Sequence, residues 1–304
     1  MLLAAIGVVV VLSAQATGYG RAPDECAPPP LEGGRSAVVW QRVKSPPLRR
    51  YCERVAGGLS KLASEPGMPN EALRAALEAE DILPGRAPAK VLEARAHLRL
   101  DHAPLAYAAL REAMARRERS LDDPPALLAL ARAAARTGHG AEALQAYGAL
   151  LASADALPPA ERSAAYVEAG MLLLAAGPSR LADAVVTLRQ ARRVATGDLQ
   201  LVATVALALA LDRSGDAREA RAILDERTLA GADDAIDAAR AKRHLGPSTT
   251  EPEALALRAM SLEGRPMAQS REAWRSYFDA AVNSPWRGHA KEKRDRKDAA
   301  RGAK

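Results

Sequence analysis

Among the stretches that carry arginines four residues apart are "PAKVLEARAHLRL", with Arg95 and Arg99, and "PALLALARAAARTG", with Arg132 and Arg136. On a helix this spacing sets both guanidinium groups on one face. A guanidinium presents a planar fork of donors that fits a carboxylate bidentately. Two such pairs are chemistry for gripping acidic side chains or a free C-terminal carboxylate. Arg213, beside Asp212, extends the series. The alternative is that these are solvated charges on exposed helix faces, since arginine is abundant throughout the chain.

Catalytic and metal chemistry have no comparable signature. There is no GxxxxGK phosphate loop, no HExxH, no GxSxG and no CxxC. The histidines, at 97, 102, 139, 244 and 289, are scattered and have no partner at ligand spacing. The carboxylate pairs Asp122–Asp123 and Asp233–Asp234 sit where helices begin, and the positive end of the helix dipole accounts for them there. The chain is expected to be no enzyme and to hold no metal or cofactor.

The elements that carry the arginines are helices. Only ten of the 304 residues are aromatic, so the core must be built from Ala, Leu and Val, and Ala suits close helix approach and has the highest helix propensity. A helical period runs from about residue 37 to 298, broken by short Gly- and Pro-bearing loops. A small residue recurs in similar segments at Ala72, Ala106, Ala143, Ala184, Ala220 and Ala273, with successive spacings of 34, 37, 41, 36 and 53. Four residues after each comes Leu110, Tyr147, Leu188, Leu224 or Tyr277, with Ala76 as the small exception. The last, longer interval has room for an extra helix, expected over 233–245. One hairpin cannot bury its apolar stripe alone, so the units must stack into a continuous core.

This pattern resembles the tetratricopeptide repeat, a 34-residue pair of antiparallel helices, in degenerate form. Gly138, Gly215 and, with a short insertion, Gly177 match the family's inter-helix turn. Ala143, Ala184 and Ala220 match its small second-helix residue, and Pro84 and Pro285 its closing proline. The family's first-helix Trp, Gly and Tyr are replaced by Leu127, Ala131 and Ala134 in one unit and by Thr204, Ala208 and Leu211 in another. The resemblance implies an all-α, right-handed superhelical solenoid over residues 37–290, lined inside by the first helix of each pair. It also implies that Arg95, Arg99, Arg132, Arg136 and Arg213 face that concave surface, with apolar Met171, Ala175 and Leu209 at the equivalent later positions. Its functional implication is a scaffold that binds another protein or peptide.

The two ends differ in character. Residues 1–16, "MLLAAIGVVVVLSAQA", form an apolar run shorter than the roughly 20 residues a bilayer-spanning helix needs. The run closes on a small-x-small site, as a signal peptide does, although no Lys or Arg precedes it; an uncleaved anchor is the other reading. A Pro- and Gly-rich arm follows over 17–36. Cys26 and Cys52 are the only cysteines, and one pair so placed suits a disulfide in an oxidising compartment; the alternative is two unpaired thiols. Near the other end, Trp274, Tyr277, Phe278 and Trp286 hold four of the ten aromatics and suit either an end cap or a docking pad. Residues 291–304 form a basic tail. From Arg287 to Lys304 the chain carries eight basic and three acidic residues, most of the formal net charge of +6.

These features together point to an exported scaffold in a bacterial periplasm or envelope, or a secreted one, that binds a protein or peptide of acidic character. No nucleic-acid partner is expected, because the tail lacks interleaved aromatics. Membrane contact is expected only through the N-terminal segment if it is retained. The alternative is a structural subunit that self-associates through the aromatic hairpin into a homo-oligomer.

Overall fold

A computed structural model describes residues 26, 46–64, 66–116, 121–224, 226–241, 245, 251–263 and 267–302. The apolar N-terminal run and the arm, apart from Cys26, lie outside the described residues. Those described form α1 (Pro46–Ala63), α2 (Pro69–Ile82), α3 (Ala87–Arg99), α4 (Ala103–Arg116), α5 (Pro124–Arg136), α6 (Gly140–Leu151), α7 (Pro159–Ala175) and α8 (Leu181–Val194). They continue with α9 (Asp198–Arg213), α10 (Ala217–Ala222), α11 (Glu226–Ala241), α12 (Glu251–Ser261), α13 (Met267–Ala280) and α14 (Arg287–Gly302). No strand occurs among the described residues.

The helices pack in consecutive pairs, α1 with α2, α3 with α4, α5 with α6, α7 with α8 and α9 with α10. First helices also touch first helices: α1 meets α3, α3 meets α5, and α7 meets α9. The chain is therefore an α-solenoid of antiparallel helix pairs, with the arrangement of tetratricopeptide-like repeats. Prolines in the first turn open α2, α3, α5 and α7, where a missing N–H costs no hydrogen bond.

Short turns set the antiparallel geometry. Gly138 and Gly215 lie at φ of 82° and 89°, in the left-handed region, and the following amide bonds back across the turn. His139 N–H reaches Ala134 C=O at 2.8 Å, and Asp216 N–H reaches Leu211 C=O at 2.9 Å. This is the helix-ending closure that an αL residue permits. Between α3 and α4 the same closure forms, His102 N–H to His97 C=O at 2.8 Å, with Asp101 at φ 66° in the glycine's place.

Every repeat marker lies on a second helix, and Ala72, Ala106, Ala143, Ala184 and Ala220 are all buried. So are Leu110, Tyr147, Leu188 and Tyr277 one turn later. The small residue lets the first helix come close while the larger one fills the gap above it. Close approach also runs the other way, from first helix to second. A Cβ on Gly170 of α7 would stand 2.5 Å from Leu188 Cδ2 of α8.

One element is misplaced by the sequence reading. The extra helix, expected over 233–245, is α11 over Glu226–Ala241, and α10 before it is only six residues long. At the N-terminal end Cys26 and Cys52 are joined as a disulfide with Cα atoms 5.5 Å apart, against the first core cluster beneath Tyr51 and Val55.

Candidate partner-binding groove

The first helices stack so that one groove of about 530 Å³ runs across them. Its walls come from α3 (Arg95, Leu98, Arg99), α5 (Leu128, Ala129, Arg132, Arg136) and α7 (Ala160, Glu161, Ala164, Glu168). Leu62 at the end of α1 and Leu199 at the start of α9 close it, and Asp101 stands in the turn after α3. The two i,i+4 arginine pairs thus meet on one surface. Of the four, Arg99 is exposed as a solvated charge would be, and Arg95, Arg132 and Arg136 are partly covered.

They are not equivalent. Arg132 is already engaged: its Nε and Nη2 donate to the Glu168 carboxylate at 2.9 and 2.8 Å. Tyr147 O–H donates to the same carboxylate at 2.8 Å. Burial alone would lower the Arg132 pKa, but the Glu168 charge outweighs it and raises the value. This guanidinium is therefore a structural strut, with its charge neutralised inside the groove wall. Arg136 is held more loosely, 3.8 Å from the exposed Asp101 carboxylate and 3.5 Å from Leu98 C=O, and its buried Nε has no hydrogen-bond partner. Its pKa is lowered by burial and by Arg132 beside it. Arg95 is pushed down to about 10 by burial, with Arg99 adding to the fall and Asp123 opposing it. Arg99 is exposed and makes no hydrogen bond or ion pair among the described residues. Arg99 is therefore the groove cation that keeps its donors free among the described residues.

Arg213 does not belong to the groove. Its side chain is wholly buried, donating to Glu253 at 2.7 Å and to Tyr277 O–H at 2.8 Å, with the guanidinium 4.5 Å above the Trp286 ring. By this point α11, α12 and α13 have closed over α9, so a position expected to face solvent faces core instead. Met171 is likewise buried.

The aromatic hairpin is an end cap. Trp274 and Tyr277 have no exposed surface, and Trp286 is buried with its Nε1–H donated to Leu174 C=O at 2.7 Å. Arg287 and Arg294 cover the Phe278 ring, at 5.1 and 3.8 Å from its centroid. No ring of the four is left exposed for docking, although Val282, just beyond α13, is exposed. The residues expected as a tail continue this cap, because 287–302 form the helix α14. Lys293 is buried and donates to Asp212 at 2.6 Å, His289 meets the other Asp212 oxygen at 2.7 Å, and Lys297 pairs with Glu263. Much of the basic charge is thus matched on the protein itself.

The sequence reading did not single out Glu161, Glu168 or Tyr147 as site residues. A signal for Glu168 was present: it is a lone acid in the apolar run Val167–Met171, one repeat after Arg132. Among the described residues no group of His, Cys, Asp and Glu is placed to hold a metal, and no helix is long and apolar enough to cross a membrane.

The class this architecture defines is the α-solenoid of stacked helix hairpins, whose extended grooves are binding surfaces. No protein-family model matches the sequence, and no curated protein matches it. Among solved structures, the chain is similar to the TPR domain of P58(IPK), at 12% identity and a TM-score of 0.37, covering 87% of this chain and 69% of that one.

Proposed function

We propose that this chain is a non-enzymatic, exported scaffold whose first-helix groove binds a protein or peptide partner through the partner's carboxylates. One observation carries the reading: Arg95, Arg99 and Arg136 converge on one groove in which exposed Arg99 has unused donors. Apolar floor residues Leu98, Leu128 and Ala129 supply contact area beside these donors, as peptide-binding grooves do. Export is supported by the apolar N-terminal run and by the Cys26–Cys52 disulfide, a bond that persists in oxidising compartments. The self-association reading has less support, since the aromatic rings it needs are packed into the end cap.

The test is affinity capture from a bacterial envelope extract with the mature protein and with the Arg95→Glu/Arg99→Glu/Arg136→Glu variant as baits. Arg132 is left intact, because changing it strands the buried Glu168. A partner retained by the first bait and lost by the second, with helicity unchanged, is the expected result. Equal capture by both refutes the groove.

A further inference from the structure

One acid on the groove wall has no side-chain partner among the described residues. Glu161 stands in the first turn of α7, half-buried, and makes no hydrogen bond or ion pair among the described residues. Glu168 lies two turns further along the same helix, and therefore on the same face. The contrast between them is chemical. Glu168 has all its needs met by Arg132 and Tyr147, whereas Glu161 has lost water without gaining a cation. The charged groups facing the groove are Arg95 and Arg99 from α3, Arg132 and Arg136 from α5, Asp101 from the turn, and Glu168 from α7 itself. Tyr147 of α6 reaches it only through Glu168, α9 contributes Leu199 alone, and α8 contributes nothing. Arg162, the neighbour in sequence, is turned away to Asp155.

Resting on the groove reading above, we propose that Glu161 sets when the groove accepts its partner: ionised, it repels an incoming carboxylate, and protonated, it donates a hydrogen bond to one. An ionised acid beside a carboxylate ligand places two like charges in a partly desolvated site, which is strongly unfavourable. With a proton on Glu161, the same contact becomes an O–H···O⁻ bond of the strong, charge-assisted kind. The proton is available near neutrality, because burial first and the Glu168 charge second raise the Glu161 pKa to about 7. If binding requires the protonated form, apparent affinity scales with its population. From about pH 8.5 to about pH 5.5 that population rises about 30-fold for a group titrating near 7. The groove is thus a receptor that loads as its surroundings acidify.

The experiment titrates the full chain with a pentaaspartate peptide bearing a pH-insensitive dye, across that pH range. The peptide's own carboxylates, with pKa near 3.9, stay ionised throughout. Wild-type protein is expected to bind about 30-fold more tightly at the acid end. Glu161→Gln, which keeps the donor and removes the charge, is expected to bind at every pH as wild type does at the lowest. A wild-type profile that Glu161→Gln reproduces, a flat wild-type profile, or weaker binding by Glu161→Gln at low pH overturns the role of Glu161 and leaves the groove standing. If neither folded protein binds the peptide at any pH, the groove reading fails and takes this inference with it.

Discussion

Replacing Arg213 by Met tests whether this residue is a core strut rather than a groove donor. The substitution leaves the Glu253 carboxylate, 2% exposed, without its cation, and the Tyr277 hydroxyl without the Arg213 donor. Breaking a buried pair from one side costs about 3–5 kcal/mol, whereas replacing both partners by apolar groups is often neutral. Arg213→Met is therefore expected to be strongly destabilising, and Arg213→Met/Glu253→Met to recover most of the loss. Repeat arrays unfold in parts, so a local probe is needed. Hydrogen–deuterium exchange across 251–302 supplies one. At about 1.4 kcal/mol per tenfold, exchange in the cap should accelerate roughly 100- to 4,000-fold in the single variant. Protection in α3 and α5 should hold, because neither helix touches this cluster. Unchanged exchange in Arg213→Met, or a double variant as damaged as the single one, refutes the assignment.

Three further outcomes follow from the same packing. Gly170→Ala should lower stability by about 1–3 kcal/mol in chemical denaturation, although Ala is the better helix former, because its Cβ meets Leu188. Tyr147→Phe should cost about 1.5–3 kcal/mol, since it removes a buried hydrogen bond to the Glu168 carboxylate while leaving the Arg132 pair in place. The third is a pH effect at His289. Burial lowers its pKa below the ordinary 6.5, with Arg213 and Lys293 adding to the fall and the Asp212 hydrogen bond opposing it. The unfolded chain therefore takes up this proton first as pH falls. The stabilisation is complete above about 6.5 and is lost as pH drops from there through the lowered folded value. Relative to His289→Gln, the wild-type unfolding midpoint reported by tryptophan emission should drop as pH falls below about 6.5, and equal profiles for the two proteins refute the assignment.

The array was legible because packing imposes a period. A first helix can approach only where the second is small, so Ala72 to Ala220 recur at near-constant intervals and all prove buried. The groove arginines were legible for a similar reason, since i,i+4 spacing fixes a common face whatever the tertiary context. What failed was the assumption that each unit repeats the last. Arg213 occupies the repeat register of a groove residue, but α10 is cut to six residues and α11 to α13 fold over it. Asp101 hid a turn, because sequence rules look for glycine at an αL position that aspartate also tolerates. The ion pairs were hidden by being read locally. Arg132–Glu168, Arg213–Glu253, Arg116–Glu80 and Arg189–Glu219 join residues 36, 40, 36 and 30 apart, about one repeat each. Opposite charges one period apart are the signature a search confined to single helices misses.

The proposed partner sits on the face lined by α3, α5 and α7. Site-specific photo-crosslinking in the cells that make the protein tests this most directly. A photoreactive residue replaces Ala160, exposed at the groove, in one protein and Val186, 67% exposed on the second helix α8, in another. A discrete crosslinked partner from position 160, stronger at acid pH, and none from position 186 is the expected result. Crosslinking from 186 with none from 160 would contradict the groove.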